Sequence, residues 1–238
     1  MSILNTICNK LIIIIYCEYN YISLIFINYL IKDLIMKIYE FRRAPNPRRV
    51  QMFLVEKNIT DIELIEIDIM KGEHKTPEYR SLAPNSRIPA LELDDGTVIM
   101  ESTAICRYLE ALYPQPNLFG ENPIEIASIE MWQARIYNEL MIPLAMAFRH
   151  LHPAMSKLEI QNHDYGNTQK NIATKSLKYF NGVLSESEFV AGERYTFADI
   201  QMITTTDFFI GLNRLDMKDY PQIQRHSDLM AQRPSFSA

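Results

Sequence analysis

Apolar residues follow two regimes along the chain. From Met36 onward they recur with the periods of regular secondary structure, whereas before it they run almost without a break. Met36–Phe41, with Ile38, Tyr39 and Phe41, predicts a short strand. After the loop Arg42-Arg43-Ala44-Pro45, Asn46 has the chemistry of a helix N-cap, with Pro47 suited to the first helical position. Val50, Phe53 and Leu54 recur at helical spacing, and Asn58 can close the helix in the left-handed conformation. Ile62–Ile69 alternates apolar and acidic residues, as a half-buried strand does. A β-α-β opening implies a parallel pair.

A polar loop then leads through Leu82–Leu93 into a further strand. Asp94-Asp95-Gly96 signals a hairpin turn, and Thr97–Met100 returns. Ser102 is read as the cap of a helix reaching Tyr113, so the direct order is β-α-β-loop-β-β-α. Residues 114–122, opening on Pro114-Gln115-Pro116-Asn117, read as a linker. Beyond it the pattern is helical throughout, over about 124–150, 168–184, 197–212 and 221–232. Thr196-Phe197-Ala198-Asp199 resembles a capping box with Asp in the place usually held by Glu or Gln.

Composition sets residues 1–35 apart. They hold eleven Ile, four Tyr and four Asn, and no Ala, Gly, Pro, Val or Arg. Leu11–Ile31 is long enough to cross a bilayer, which takes roughly 20 residues. However, Glu18 near its middle costs about 2.5 kcal/mol or more on insertion scales. Three readings stand open: translated upstream AT-rich DNA with Met36 as the start, a membrane or signal anchor, and an unusual packed helix. The domain plan is therefore a non-core extension over 1–35, an α/β domain over 36–113, a linker over 114–122 and an all-α domain over 123–238.

Charge and cysteine usage narrow the function classes. Twenty-four Lys plus Arg against twenty-nine Asp plus Glu give a net charge of −5, and there is no run of five or more basic residues. A nucleic-acid partner is not expected. Cys8, Cys17 and Cys106 make neither a CxxC pair nor a disulfide framework, so a reducing compartment is expected. His150 and His152 lack a third ligand at metal-site spacing, and no metal is expected.

Four segments in order carry a family resemblance. They are Ala44-Pro45-Asn46-Pro47-Arg48-Arg49-Val50, Asn85-Ser86-Arg87-Ile88-Pro89-Ala90-Leu91, Glu101-Ser102-Thr103-Ala104-Ile105 and Thr196-Phe197-Ala198-Asp199. Each is weak alone. Together, spread over residues 36–238, they resemble the cytosolic glutathione transferases, in particular their phi-, theta- and nu-like branches. The resemblance implies a thioredoxin-like domain of order β-α-β-α-β-β-α followed by an all-α domain.

The resemblance also implies a site. Ile88-Pro89 would be a cis-proline dipeptide, with the Ile88 main chain pairing with the cysteinyl part of glutathione. Glu101 would accept from the γ-glutamyl ammonium. Ser102, with the helical N–H groups behind it, would receive the α-carboxylate, and helix electrostatics favour an anion there. His74, Lys75 and Arg87 are the candidates for the glycyl carboxylate.

The family pattern breaks at the thiol. Serine-type members carry a hydroxyl where this chain has Ala44, leaving Asn46 as the candidate catalytic donor, as in nu-like relatives. Some donor is needed because the thiolate is the nucleophile and a cysteine thiol has a pKa of about 8.5. Trp132, Arg135, Tyr137, Asn138, Met141, Phe148 and Arg149 are expected on a helix on the electrophile's side.

The expected activity is conjugation of the glutathione thiolate to small electrophiles. Glutathione would be a co-substrate, with no tightly bound cofactor, in a cytoplasmic homodimer. A membrane enters only if residues 1–35 are an anchor. Two alternatives are a glutathione-dependent peroxidase or disulfide reductase, and a non-catalytic module of the same fold. The departure at Ala44 keeps both open.

Overall fold

A computed structural model describes residues 36–238. The apolar run Leu11–Ile31, and with it the three readings of residues 1–35, lies outside the described residues. The described chain divides into two compact units: residues 36–41 with Thr60–Leu112, and Arg42–Ile59 with Tyr113–Ala238.

The first unit is built on a four-stranded sheet of order β2-β1-β3-β4. The strands are β1 (Lys37–Glu40), β2 (Glu63–Glu66), β3 (Ala90–Glu92) and β4 (Val98–Met100). β1 and β2 are parallel, while β3 lies antiparallel to both β1 and β4. β2 is shorter than the alternation Ile62–Ile69 suggests. Among the described residues it pairs only with β1, and β1 offers four residues.

Helix α2 (Pro77–Leu82) has Thr76 as its cap, whose hydroxyl oxygen accepts from the Tyr79 N–H. Its Tyr79 and Ala83 pack on Ala90, with Tyr39, Ile88, Val98 and Met100 around them. The residues read directly as a loop thus include a helix, in the order the family resemblance implies. Helix α3 (Ser102–Leu112) closes the unit.

The second unit contains α1 (Pro45–Glu56) and the helices beyond residue 113. The helix start differs from the sequence expectation. Ala44 is the N-cap, Pro45 opens the helix and Asn46 is its second residue. The Pro45 ring fits the first turn as well as Pro47 does, so two prolines two residues apart left the start ambiguous by one pair. The C-terminal expectation holds: Asn58 is left-handed at φ 53°, and the Ile59 N–H reaches back to the Leu54 carbonyl.

The stretch expected as one helix over 124–150 is α4 (Pro123–Arg135), a π-helical segment (Ile136–Met141) and α5 (Ile142–Leu151). Pro143, which has no N–H to give, sits just past that segment. Helix α6 (His163–Glu186) starts five residues before the expected position, capped by Asn162. Gly166 lies in its first turn and allows a close approach there: a Cβ would lie 2.8 Å from Leu151 side-chain atoms. Helix α7 (Phe197–Leu212) matches its expected span, and α8 (Pro221–Met230) starts where expected.

The core of this unit joins Ile136, Leu140 and Leu144 to Leu177, Phe180, Met202 and Ile223. The capping box at Thr196 forms. One Asp199 oxygen accepts from the Thr196 N–H at 2.8 Å, and the other accepts from the Val190 N–H at 2.8 Å and lies 3.0 Å from His226 Nε2.

Candidate functional site

Sheet register gathers the first unit's candidate residues. Ala90 at the start of β3 is paired with Met100 at the end of β4. The residues before Ala90 and those after Met100 therefore leave the sheet at one end. Ile88-Pro89 and Glu101-Ser102, twelve or more positions apart in sequence, become neighbours by this register.

The Ile88–Pro89 peptide bond is cis. Ile88 is half-buried and packs against Tyr79 and Ala90. Among the described residues neither its N–H nor its carbonyl enters a hydrogen bond. A main chain with both groups uncommitted can offer an antiparallel pair to a peptide-like ligand.

Glu101 is exposed, and its backbone is left-handed at φ 74°. Its carbonyl accepts from the Ile105 N–H at 3.0 Å, so Glu101 and not Ser102 is the N-cap of α3. Ser102 is the first helical residue and is buried. Helix geometry leaves the N–H groups of Ser102, Thr103 and Ala104 without intrahelical acceptors. Left-handed φ in a residue with a Cβ costs about 1–2 kcal/mol, and such residues gather where a site requires them. Nothing in the sequence marks this: a glutamate carries no sign of a positive φ.

The basic candidates fall on two loops. His74 and Lys75 lie in a short turn of helix, Glu73–Lys75. That turn is pinned by Glu73, whose carboxylate accepts from the Asp68 N–H at 2.7 Å, and by left-handed Gly72. His74 is half-buried, and its Nδ1 is buried without a hydrogen-bond partner among the described residues. Burial first, then the charges of Lys75 and Arg80, hold its pKa below the usual 6.5. At neutral pH His74 is therefore uncharged and offers a ring N–H, while Lys75 supplies charge. Arg87 has an exposed side chain and a fixed backbone: its N–H donates to Asn85 Oδ1 at 3.1 Å and its carbonyl accepts from the Tyr79 hydroxyl at 2.7 Å.

Asn46 belongs to the second unit. Its Oδ1 accepts from Arg49 Nη1 at 2.9 Å. Arg49 is 1% exposed and also donates to Thr204 and Thr205 of α7, at 3.0 and 3.1 Å. A guanidinium has only donors, so it can face only the amide oxygen. The Asn46 amide nitrogen is turned the other way as a donor. Pro45 and Pro47 on either side of Asn46 have no N–H groups to add at this helix start. Arg48 pairs with Asp207 and lies over the Phe236 ring at 5.0 Å. Arg48 and Arg49 thus serve packing of α1.

Other candidates have structural employment. Arg135 pairs with Glu139 at 3.0 Å and stacks over Trp132 and Tyr179. Asn138 donates to the Ala134 carbonyl, Arg149 pairs with Glu159, and Phe148 packs near Phe209. Met141 Sδ accepts from Arg49 Nη2, and Tyr137 is exposed. His150 and His152 accept backbone N–H groups through Nδ1. Among the described residues no group of three potential ligands could hold a metal ion, and no helix is long and apolar enough to cross a membrane.

A thioredoxin-like sheet with a cis-proline and a charged left-handed helix cap, followed by a helical unit, defines a family that comparison identifies. The N-terminal domain of glutathione S-transferase matches residues 44–112 and the C-terminal domain residues 152–238. The chain belongs to the glutathione S-transferase family.

Among its relatives, glutathione S-transferase 2 of Saccharomyces cerevisiae is 36% identical over 203 residues, covering 84% of this chain and 87% of that protein. Maleylacetoacetate isomerase of Pseudomonas aeruginosa is 29% identical over 210 residues, covering 84% of this chain and 93% of that protein. The crystal structure of Gtt2 from Saccharomyces cerevisiae superposes with a TM-score of 0.78 at 36% identity, covering 84% of this chain and 98% of that one.

Proposed function

We propose that this protein is a glutathione transferase, joining the glutathione sulfur to small electrophiles. The observation that carries the reading is the Ala90–Met100 register, which sets the uncommitted Ile88 main chain beside Glu101 and the start of α3. In this reading the Ile88 N–H and carbonyl pair with the cysteinyl residue. The Glu101 carboxylate accepts from the γ-glutamyl ammonium, and Ser102 with the first N–H groups of α3 receives the α-carboxylate. His74, Lys75 and Arg87 serve the glycyl end. The resemblance assigns Asn46 to the sulfur, and the Arg49 contact supports it by presenting the amide as a donor.

The chemistry needs no group beyond these. The thiol loses its proton to solvent, and donation from Asn46 favours the anion left behind. The thiolate attacks the electrophilic carbon, a C–S bond forms, and the leaving group departs with its electron pair. Binding supplies proximity. A cytoplasmic homodimer without a tightly bound cofactor belongs to the same reading and rests on the resemblance. So does the division of labour between a glutathione domain over 36–113 and an electrophile side over 123–238. The glutathione S-transferase named among the relatives supports group transfer over the disulfide-reductase and non-catalytic alternatives.

The test is a paired assay with the purified protein and glutathione. A chloronitrobenzene acceptor is expected to be conjugated faster than hydroxyethyl disulfide is reduced. Reduction without conjugation would move the protein to the reductase class.

A further inference from the structure

The loop that presents Ile88 is held from one side by two consecutive residues of α2. Tyr79 is 5% exposed, and its ring sits against Ala83 and Ala90 and edge-on to Tyr39 at 6.1 Å. Its hydroxyl donates to the Arg87 carbonyl at 2.7 Å. Arg80 Nε donates to Ser86 Oγ at 3.2 Å, and Ser86 is itself left-handed at φ 53°. Asn85 Oδ1 holds the Arg87 N–H. Residues 85–87 are thus held through the Asn85 side chain, the Ser86 N–H and hydroxyl, and both backbone groups of Arg87, and the next residue, Ile88, has neither backbone group committed among the described residues.

A packed aromatic ring does not need a hydroxyl, and burial of a phenol favours one only where it finds an acceptor. Here the acceptor is the carbonyl of the peptide that also contains the Ile88 N–H. A bond to that oxygen fixes the plane of the whole peptide unit, because the unit is rigid. It therefore sets where the Ile88 N–H points. The same bond polarises the unit and makes that N–H a better donor.

We infer that Tyr79 is a positioning residue for glutathione: its hydroxyl orients the Arg87–Ile88 peptide so that the Ile88 N–H is pre-aimed at the ligand's main chain. This rests on the proposed glutathione site. It adds to that site a residue that does not itself touch the ligand.

The experiment compares the wild-type protein with Tyr79→Phe, which deletes one oxygen and keeps the ring. Glutathione affinity is measured by titration calorimetry well below the melting temperature of both proteins. Amide exchange at Arg87 and Ile88 is followed in the bound state. Tyr79→Phe is expected to raise the glutathione Kd about 3–10-fold and to speed Ile88 exchange. KM for glutathione should rise with kcat and the electrophile KM unchanged. A lower melting temperature with Kd and Ile88 exchange both unchanged would overturn the inference, leaving the hydroxyl a stabilising group only. If Tyr79→Phe does not fold, backbone amide relaxation at Ile88 in the wild-type protein decides. A rigid Ile88 N–H before glutathione is added supports pre-aiming, and one that becomes rigid only when glutathione binds refutes it. Failure of the wild-type protein to bind glutathione would instead overturn the proposed function.

Discussion

Replacing Glu101 separates what its backbone costs from what its carboxylate does. At φ 74° any residue with a Cβ carries about 1–2 kcal/mol of strain. Glu101→Gly removes that strain but adds about 0.5–1 kcal/mol of chain entropy in the unfolded state relative to Ala. Glu101→Ala keeps the strain. Both lose the favourable acid at a helix N-terminus, worth about 0.3–1 kcal/mol. Glu101→Gly should therefore be more stable than Glu101→Ala by about 0.5–1 kcal/mol, or about 1–4 °C in Tm for a chain of this size.

Binding should move differently. The carboxylate's bond to an ammonium is charge-assisted and worth about 1.5–3 kcal/mol, so both variants should lose about 10–150-fold in glutathione affinity. Melting scans and calorimetric titration read the two effects separately. Equal stability of Gly and Ala would refute the strain argument. A glutathione Kd within twofold of wild type would remove Glu101 from the site.

Three other outcomes follow from the geometry. Asn46→Ala should raise the pKa of bound glutathione's thiol by about 1–2 units, since a hydrogen bond to an anion is worth about 1.5–3 kcal/mol; the ultraviolet thiolate band against pH reads this, and an unchanged titration would exclude Asn46. His74 titrates below 6.5 when the site is empty, and a bound carboxylate would raise its pKa, so affinity for S-methylglutathione should increase as pH falls below about 6.5. A His74→Gln protein with the same pH profile as wild type would contradict this. Burial would raise the pKa of Glu56, but bonds from Arg233 and Ser235 outweigh it and hold the carboxyl below its ordinary value. Its stabilisation is present above the unfolded carboxylate pKa of about 4.3 and is lost as pH falls through the folded value. Arg233→Ala, which removes bonds of 2.8 and 2.7 Å, should cost about 1.5–3 kcal/mol at pH 7 and flatten the acid limb of a stability–pH curve.

The fold was largely legible because its signals are local. Asp94-Asp95-Gly96 marks the turn, Gly96 being left-handed at φ 81°, and Thr196 with Asp199 marks the start of α7. Helix starts were less legible where two residues could serve, as at Pro45 and Pro47, or where the cap precedes a polar first turn, as Asn162 does at the start of α6. The candidate site was legible as residue types but not as geometry. That Ile88 lies by Glu101 follows from register, and register is a pairing between distant segments. The Tyr79–Arg87 bond and the left-handed Glu101 have no sequence signature at all, since a buried tyrosine and an exposed glutamate are ordinary.

The most direct measurement is calorimetric titration of the full chain with glutathione beside its analogue lacking the γ-glutamyl residue, cysteinylglycine. The account predicts saturable one-site binding of glutathione and affinity for the dipeptide at least tenfold weaker. Equal affinity for the two, or no heat from glutathione at millimolar concentration, would contradict the claim that Ile88 and the Glu101–Ser102 helix start form one peptide-binding site.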